Sequence, residues 1–286
     1  MGLAFGIGAR ALARRSLLSF GVLAGSLIAV GIAGSGVAFA TDDAPKTAAS
    51  TFALLEAQIK GHIKDKSLDA LKKDVEAVAK AITDEPDEKN KTRLGTLMGV
   101  IVYGTTDDGV QKVAIVAIGA SKDSSLFQYI RRFLSQPDLD AEPPLCKCAI
   151  EAAGKLAADD AVGPLMTIVD KTHVLPLAQA AMDAFALYGT HKSVRGKILR
   201  DLVGTVEKDR PGVGLRWDAS MGGPAVQTAK TRTNELSRQR WDALSGNLVS
   251  TLNKMTGTQG ATAEDWFKLY DDYKGGLDKL FVDPAK

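Results

Sequence analysis

Aromatic residues, cysteines and histidines are scarce in this chain. Of its 286 residues, 6% are aromatic, 2 are cysteines and 3 are histidines. Few aromatics beside abundant alanine and leucine favour helices over a sheet built on valine, isoleucine and tyrosine. The 45% of hydrophobic residues and 24% of charged residues suffice for a buried core and exclude a disordered chain.

The usual catalytic signatures are also absent. The sequence has no G-x-S-x-G and no H-E-x-x-H motif, and no S-x-x-K follows residue 40. His62, His173 and His191 lie far apart in the sequence, whereas the ligands of a metal site must converge. We therefore expect a noncatalytic protein without a metal or other cofactor.

The chain after residue 40 carries no excess of positive or negative charge. Residues 1–40 hold three of the 36 basic residues and none of the 34 acidic ones, which leaves 33 basic against 34 acidic residues. Nonspecific binding to nucleic acid depends on neutralising phosphates. A near-neutral body therefore argues against nucleic acid as a partner.

The N-terminus carries a pattern typical of export. Three arginines precede an uncharged apolar run that ends in Ala38-Phe39-Ala40, an A-x-A cleavage site. This pattern predicts a signal peptide over residues 1–40 and a periplasmic or extracellular chain that begins at Thr41. Arg14-Arg15 resembles the twin-arginine signal, so the twin-arginine and general secretory pathways both remain open.

An uncleaved membrane anchor is the alternative interpretation of the same segment. The run from Ser16 to Ala40 is long enough to cross a bilayer. Its glycine and alanine content makes it a poor anchor, so we expect no stable membrane span after cleavage.

One ten-residue phrase occurs three times, at a period of 35 residues: VQKVAIVAIG at 110–119, LCKCAIEAAG at 145–154 and AAMDAFALYG at 180–189. A short polar turn and a second apolar-periodic helix follow each copy. We expect the alanine at the fifth position to lie at a close helix contact, and the final glycine to end the helix in a left-handed conformation. The alanines are Ala114, Ala149 and Ala184, and the glycines are Gly119, Gly154 and Gly189.

A helix pair of this length cannot bury its apolar faces alone, whereas stacked pairs can. The stretches VQKVAIVAIGASKDSSLFQYIRRFL and LCKCAIEAAGKLAADDAVGPLMTIV resemble the HEAT-type repeats of bacterial proteins. The signature residues of tetratricopeptide and ankyrin repeats are absent. Over residues 107–207 the resemblance implies an α-solenoid of stacked helix pairs; a helical bundle with coincidental glycine spacing is the alternative.

The remaining segments flank these repeats. Residues 41–106 are predicted to form an N-terminal helical region, 208–225 a Gly/Pro-rich loop, and 226–286 a C-terminal helical cap. The tail LNKMTGTQGATAEDWFKLYDDYK resembles a motif that closes some secreted bacterial HEAT-like proteins. Thr256, Gly257 and Trp266 match that motif, while Tyr270 stands where a second tryptophan is expected.

The first functional hypothesis is an exported scaffold that binds a protein or an envelope component. Its concave face, lined by the second helices, is the expected site, and the long loop is a second one. A solvated charged face, and a Trp217 packed onto the adjacent helices, are the alternatives. The candidate partner-binding residues are Arg131, Arg132, Lys197, Arg200, Arg216 and Trp217.

Two other functions stay open. Cys146 and Cys148 could form a redox pair if the helix start frays after Pro144, although two residues separated by one lie about 200° apart around a helix. Cys148 is expected to be the buried thiol. The third hypothesis is an envelope-anchored structural protein. The oligomeric state is not indicated.

Overall fold

The computed structural model describes residues 44–135, 145–211 and 224–282, and these ranges are all-helical without a strand. The expected all-α fold is therefore confirmed for the described part of the chain. Short 3₁₀ turns lie between several of the helices. The α-helices of these ranges are α1 (Ala44–Lys64), α2 (Leu68–Asp84), α3 (Glu88–Gly104), α4 (Asp108–Ser121), α5 (Phe127–Ile130), α6 (Cys146–Leu156), α7 (Val162–Lys171), α8 (Leu175–Phe185), α9 (Arg195–Glu207), α10 (Pro224–Thr256) and α11 (Ala263–Tyr273).

Side-chain caps fix the start of several helices. The Asp87 carboxylate accepts hydrogen bonds from the backbone of Lys89 and Asn90 at the start of α3. Asp107 accepts from the Val110 backbone at the start of α4. Ser67 precedes α2 at a position where serine commonly caps a helix, but its side chain makes no capping bond.

The first two copies of the ten-residue phrase lie on α4 and α6, and the third begins on α8 and continues into the 3₁₀ turn Ala186–Tyr188. These helices pack side by side, α4 against α6 and α6 against α8. α3 packs on the outer side of α4, and α10 packs on the outer side of α8. The result is a continuous row of five helices, in which the repeats occupy the middle.

The repeat alanines are buried, and the predicted close helix contact is confirmed for Ala184, which lies against Gly154 of α6. Ala114 and Ala149 have no exposed surface, and Ala184 is 5% exposed. A small side chain at these positions allows the helix axes to approach closely.

The repeat glycines are not left-handed helix ends, so that prediction is wrong. Gly119 and Gly154 lie inside α4 and α6, and the left-handed residues that follow these helices are Lys122 and Ala157. A β-carbon added at Gly154 would lie 2.9 Å from the Cα atom of Ala184 in α8. The glycines are therefore needed for contact between neighbouring helices rather than for a turn.

Gly119 and Gly189 also lie in close contact with a neighbouring helix. A β-carbon at Gly119 would lie 2.8 Å from the Cα atom of Ala152 in α6. One at Gly189 would overlap the carbonyl oxygen of Met255 in α10. The long C-terminal helix thus takes the place that a further copy of the repeat would fill.

The helices that follow the repeats differ in regularity. α7 and α9 are continuous, and they contact each other. In the first copy, the expected second helix is only the four residues of α5, flanked by 3₁₀ turns at Ser124–Leu126 and Arg131–Phe133. Its sequence SSLFQYIRRF contains two serines and three aromatic residues, which have lower helix propensity than alanine or leucine.

The predicted C-terminal cap is built around Asn253. Its side-chain oxygen accepts hydrogen bonds from Trp266 Nε1 at 3.0 Å and from the Gly260 backbone at 2.9 Å. Gly257 ends α10 with a φ of 75°, and Trp266 is fully buried. α11 packs against α10, the last helix of the row, and against α9.

Candidate functional site

The turns that follow the three repeat helices line one open groove of about 1040 Å³, called here the repeat-turn groove. Its lining residues come from three segments, 122–125, 154–160 and 187–193, not all of whose residues face it. Its lining residues are Lys122, Ser124, Ser125, Gly154, Lys155, Leu156, Ala157, Ala158, Asp159, Asp160, Leu187, Thr190, His191 and Ser193.

Asp123 fixes the first of these turns. Its carboxylate accepts a hydrogen bond from the Ser125 backbone at 2.9 Å and another from the Thr92 hydroxyl of α3. Partial burial raises the pKa of this carboxyl, but the hydrogen bonds from Thr92 and Ser125 hold it below the usual value. The turn is therefore tied to the neighbouring helix by an ionised side chain.

Tyr188 joins the second turn to the third. Its hydroxyl donates to the carbonyl of Ala158 at 3.0 Å, and the carbonyl of Ala153 lies at 3.5 Å. The ring is fully buried and packs against Phe185 and His191. Burial, with a smaller contribution from Asp159, raises the pKa of the phenol, so it stays protonated and acts as a donor.

Removing this hydroxyl tests the tie between the turns. We expect Tyr188→Phe to lower the free energy of unfolding by about 1 kcal/mol, because the Ala158 carbonyl loses one of two donors and keeps only the backbone N–H of Ala161. Urea unfolding measures the change. Tyr270→Phe is a suitable control for the substitution, and a Tyr188→Phe midpoint equal to that of the wild-type protein would show that the bond contributes nothing.

The surface of the groove mixes both charges with an apolar side chain. Lys122 and Lys155 supply cations, Asp159 and Asp160 supply anions, and the side chain of Leu187 is 52% exposed. The Ser193 hydroxyl donates to Asp159 at 3.0 Å, which orients that carboxylate. These groups offer ion pairs, hydrogen bonds and an apolar contact to a bound molecule.

The sequence-predicted binding residues lie elsewhere. Arg131, Lys197 and Arg200 are exposed, and none of them lines the repeat-turn groove. Arg132 is exposed as well but contacts α3 through its guanidinium. Arg216 and Trp217, and the cleavage-site residues Ala38 and Ala40, lie outside the described residues.

The cysteines do not form a pair. Cys146 and Cys148 are not joined in a disulfide, and they lie on different faces of α6. The prediction that Cys148 is the buried thiol is wrong: Cys146 is fully buried, and Cys148 is partly exposed. Cys146 occupies the face that also carries Ala149, Ile150 and Ala153 toward the core.

The sequence did contain a signal for the groove. The polar turns after the repeat glycines, ASKDSS, KLAADD and THKS, recur at the same period as the phrase itself. Equivalent turns of a stacked repeat lie on one edge, so their periodicity indicates a shared surface. The predicted sites were instead the face lined by the second helices and the loop 208–225, most of which lies outside the described residues.

No family model matches the chain, and no match is found among curated proteins or solved structures. In the described ranges, no group of three or more histidine, cysteine, aspartate or glutamate residues could hold a metal ion. None of the described helices is long and apolar enough to cross a membrane.

Proposed function

We propose that this chain is an exported, noncatalytic helical repeat protein that acts as a protein-interaction scaffold in the cell envelope. The observation that carries the proposal is the repeat-turn groove, formed by equivalent turns of three successive repeats. Loops held by a rigid scaffold are common binding sites. The signal-like segment at residues 1–40 supports the envelope as the location.

The scaffold is proposed to be a HEAT-like solenoid of stacked helix pairs. Three features support this arrangement: the row of α4, α6 and α8, the repeat glycines at the contacts between them, and the packing of α7 against both α8 and α9. α3 with the helices before it, and α10 with α11, then act as the terminal caps that a solenoid needs for solubility.

The form of the groove suits a polypeptide segment. It crosses three successive turns, so an extended chain can contact all of them. Asp159 and Asp160 can pair with basic side chains of that segment, and Lys122 and Lys155 with acidic ones. Leu187 offers the apolar contact.

Photocrosslinking in the cells that produce the protein tests the proposal. A benzophenone amino acid replaces Leu187 in the groove or, as a control, Val282, which is 70% exposed at the C-terminal tail. We expect discrete protein adducts from position 187 in the envelope fraction, on a chain that lacks residues 1–40. Position 282 should give no such adduct.

Charge reversal distinguishes specific adducts from chance contacts. With the crosslinker at 187, Asp160→Lys should reduce the adduct yield about tenfold, equivalent to the loss of roughly 1.4 kcal/mol of binding. Asp271→Lys, a reversal of an exposed carboxylate on α11, should leave the yield unchanged. Equal yields from positions 187 and 282, or equal effects of the two reversals, would contradict the proposed site.

A further inference from the structure

A second surface holds an arginine in a fixed position at the end of α3. The guanidinium carbon of Arg132 lies 4.7 Å from the ring centroid of Tyr103 and 4.7 Å from that of Phe133. Its Nη2 donates to the Val102 carbonyl at 2.6 Å. Tyr103, Tyr129, Arg132 and Phe133 are called here the Arg132 cluster.

The aromatic platform under this arginine is itself held in place. Tyr103 donates its hydroxyl to the Gln128 carbonyl at 3.1 Å, and its ring meets Tyr129 edge-on at 6.0 Å. Tyr129 in turn fits against Gly99 of α3, where an added β-carbon would lie 2.5 Å from the ring. The position of the guanidinium is therefore set by packing rather than by a flexible side chain.

Most of the hydrogen-bonding capacity of Arg132 is unused. A guanidinium has five N–H donors, and the structure shows one hydrogen bond, to Val102. Among the described residues no carboxylate pairs with Arg132, although Arg240 pairs with Asp209 at 2.9 Å. Arg132 thus presents a positive charge and free donors at an exposed surface.

We propose that the Arg132 cluster is a binding site for a carboxylate of an acidic peptide segment. A guanidinium fixed on aromatic rings matches a carboxylate through two parallel hydrogen bonds. Because the cation is already oriented, little side-chain entropy is lost on binding. The near-neutral body of the chain favours a single carboxylate contact over a polyanion such as nucleic acid.

This site is separate from the repeat-turn groove. Thr92 of α3 contacts Asp123 at the groove, and Tyr103 lies eleven residues further along the same helix. At 1.5 Å per residue this distance is about 16 Å. A negative binding result at one site therefore does not decide whether the other site binds a partner.

Fluorescence anisotropy with the purified protein tests the proposal. The probe is fluorescein-labelled hexaglutamate, and hexaglutamine is the uncharged comparison. We expect Arg132→Lys to weaken hexaglutamate binding about tenfold, because lysine keeps the charge but lacks the planar pair of donors. Arg131→Lys, the same substitution at the exposed neighbour without ring contacts, should change binding less than about twofold.

A second variant removes the platform instead of the cation. Tyr103→Leu should also weaken hexaglutamate binding, while Tyr103→Phe, which keeps the ring and loses only the hydrogen bond to Gln128, should weaken it less. Thermal unfolding confirms that each variant is folded. The proposal is overturned if hexaglutamate does not bind, if hexaglutamine binds equally well, or if Arg131→Lys weakens binding as much as Arg132→Lys. It is also overturned if phosphatidylglycerol vesicles bind in an Arg132-dependent way while hexaglutamate does not.

Discussion

Replacing Arg240 by methionine is expected to lower the free energy of unfolding by about 3–5 kcal/mol. The Arg240 side chain is 11% exposed and pairs with Asp209, whose side chain is 15% exposed. Its guanidinium also donates to the carbonyls of Thr172 and Val169 at 2.6 and 2.7 Å. The substitution leaves a largely buried carboxylate without its cation and removes the hydrogen bonds that Arg240 donates to two carbonyls at the end of α7.

Arg238→Met provides a matched control two residues away on α10. Arg238 is 69% exposed, and its pair with Asp242 spans 3.9 Å. Exposed pairs of this kind contribute little, so we expect a change within about 0.5 kcal/mol. Urea unfolding of both variants gives the comparison. Similar losses for Arg238→Met and Arg240→Met would show that the buried contacts do not hold α10 against α7.

Such a contact could not be predicted from the sequence. Arg240 is 31 residues from Asp209 and 68 from Thr172, and nothing local distinguishes it from Arg238. The helices themselves were predictable, because apolar spacing, Asp caps and the repeated alanine and glycine are local features. Pairing between distant helices depends on the tertiary arrangement.

The repeat glycines likewise combine a feature visible in the sequence with a contact that only the tertiary arrangement shows. Their 35-residue period marks helices that pack side by side, but a glycine near a helix end fits both a left-handed turn and a close contact. Only the position of Ala184 against Gly154 decides between them. Lys122 and Ala157, which adopt the left-handed conformation, gave no such signal in the sequence.

The candidate site was predictable in part. Periodic polar turns indicated one edge of the repeat, yet Lys122 of the first copy joins Lys155, Asp159 and Asp160 of the second only through the tertiary arrangement. Arg132 was singled out for its charge, whereas its contacts with Tyr103 and Phe133 arise from the short α5 and the 3₁₀ turn after it. That interruption of the expected helix was not visible in the apolar spacing.

The contact between α6 and α8 leads to the second prediction of a large loss of stability. We expect Gly154→Ala to lower the free energy of unfolding by about 1–3 kcal/mol, because the new methyl group would overlap the backbone of α8. The added β-carbon would lie 2.8 Å from Ala184 Cβ and 2.9 Å from its Cα, and a backbone atom cannot move aside as a flexible side chain can. This loss outweighs the gain of up to about 1 kcal/mol that alanine brings inside a helix.

Urea unfolding of Gly154→Ala beside Gly246→Ala is the most direct test of the central claim. That claim is that successive repeats pack in direct helix contact and so bring their turns to one groove. Gly246 lies inside α10, and a β-carbon there meets nothing within 4 Å. Opposite signs are predicted: a lower midpoint for Gly154→Ala, and for Gly246→Ala a stability higher by as much as about 1 kcal/mol. If both variants are stabilised alike, α6 and α8 do not touch at the repeat glycine.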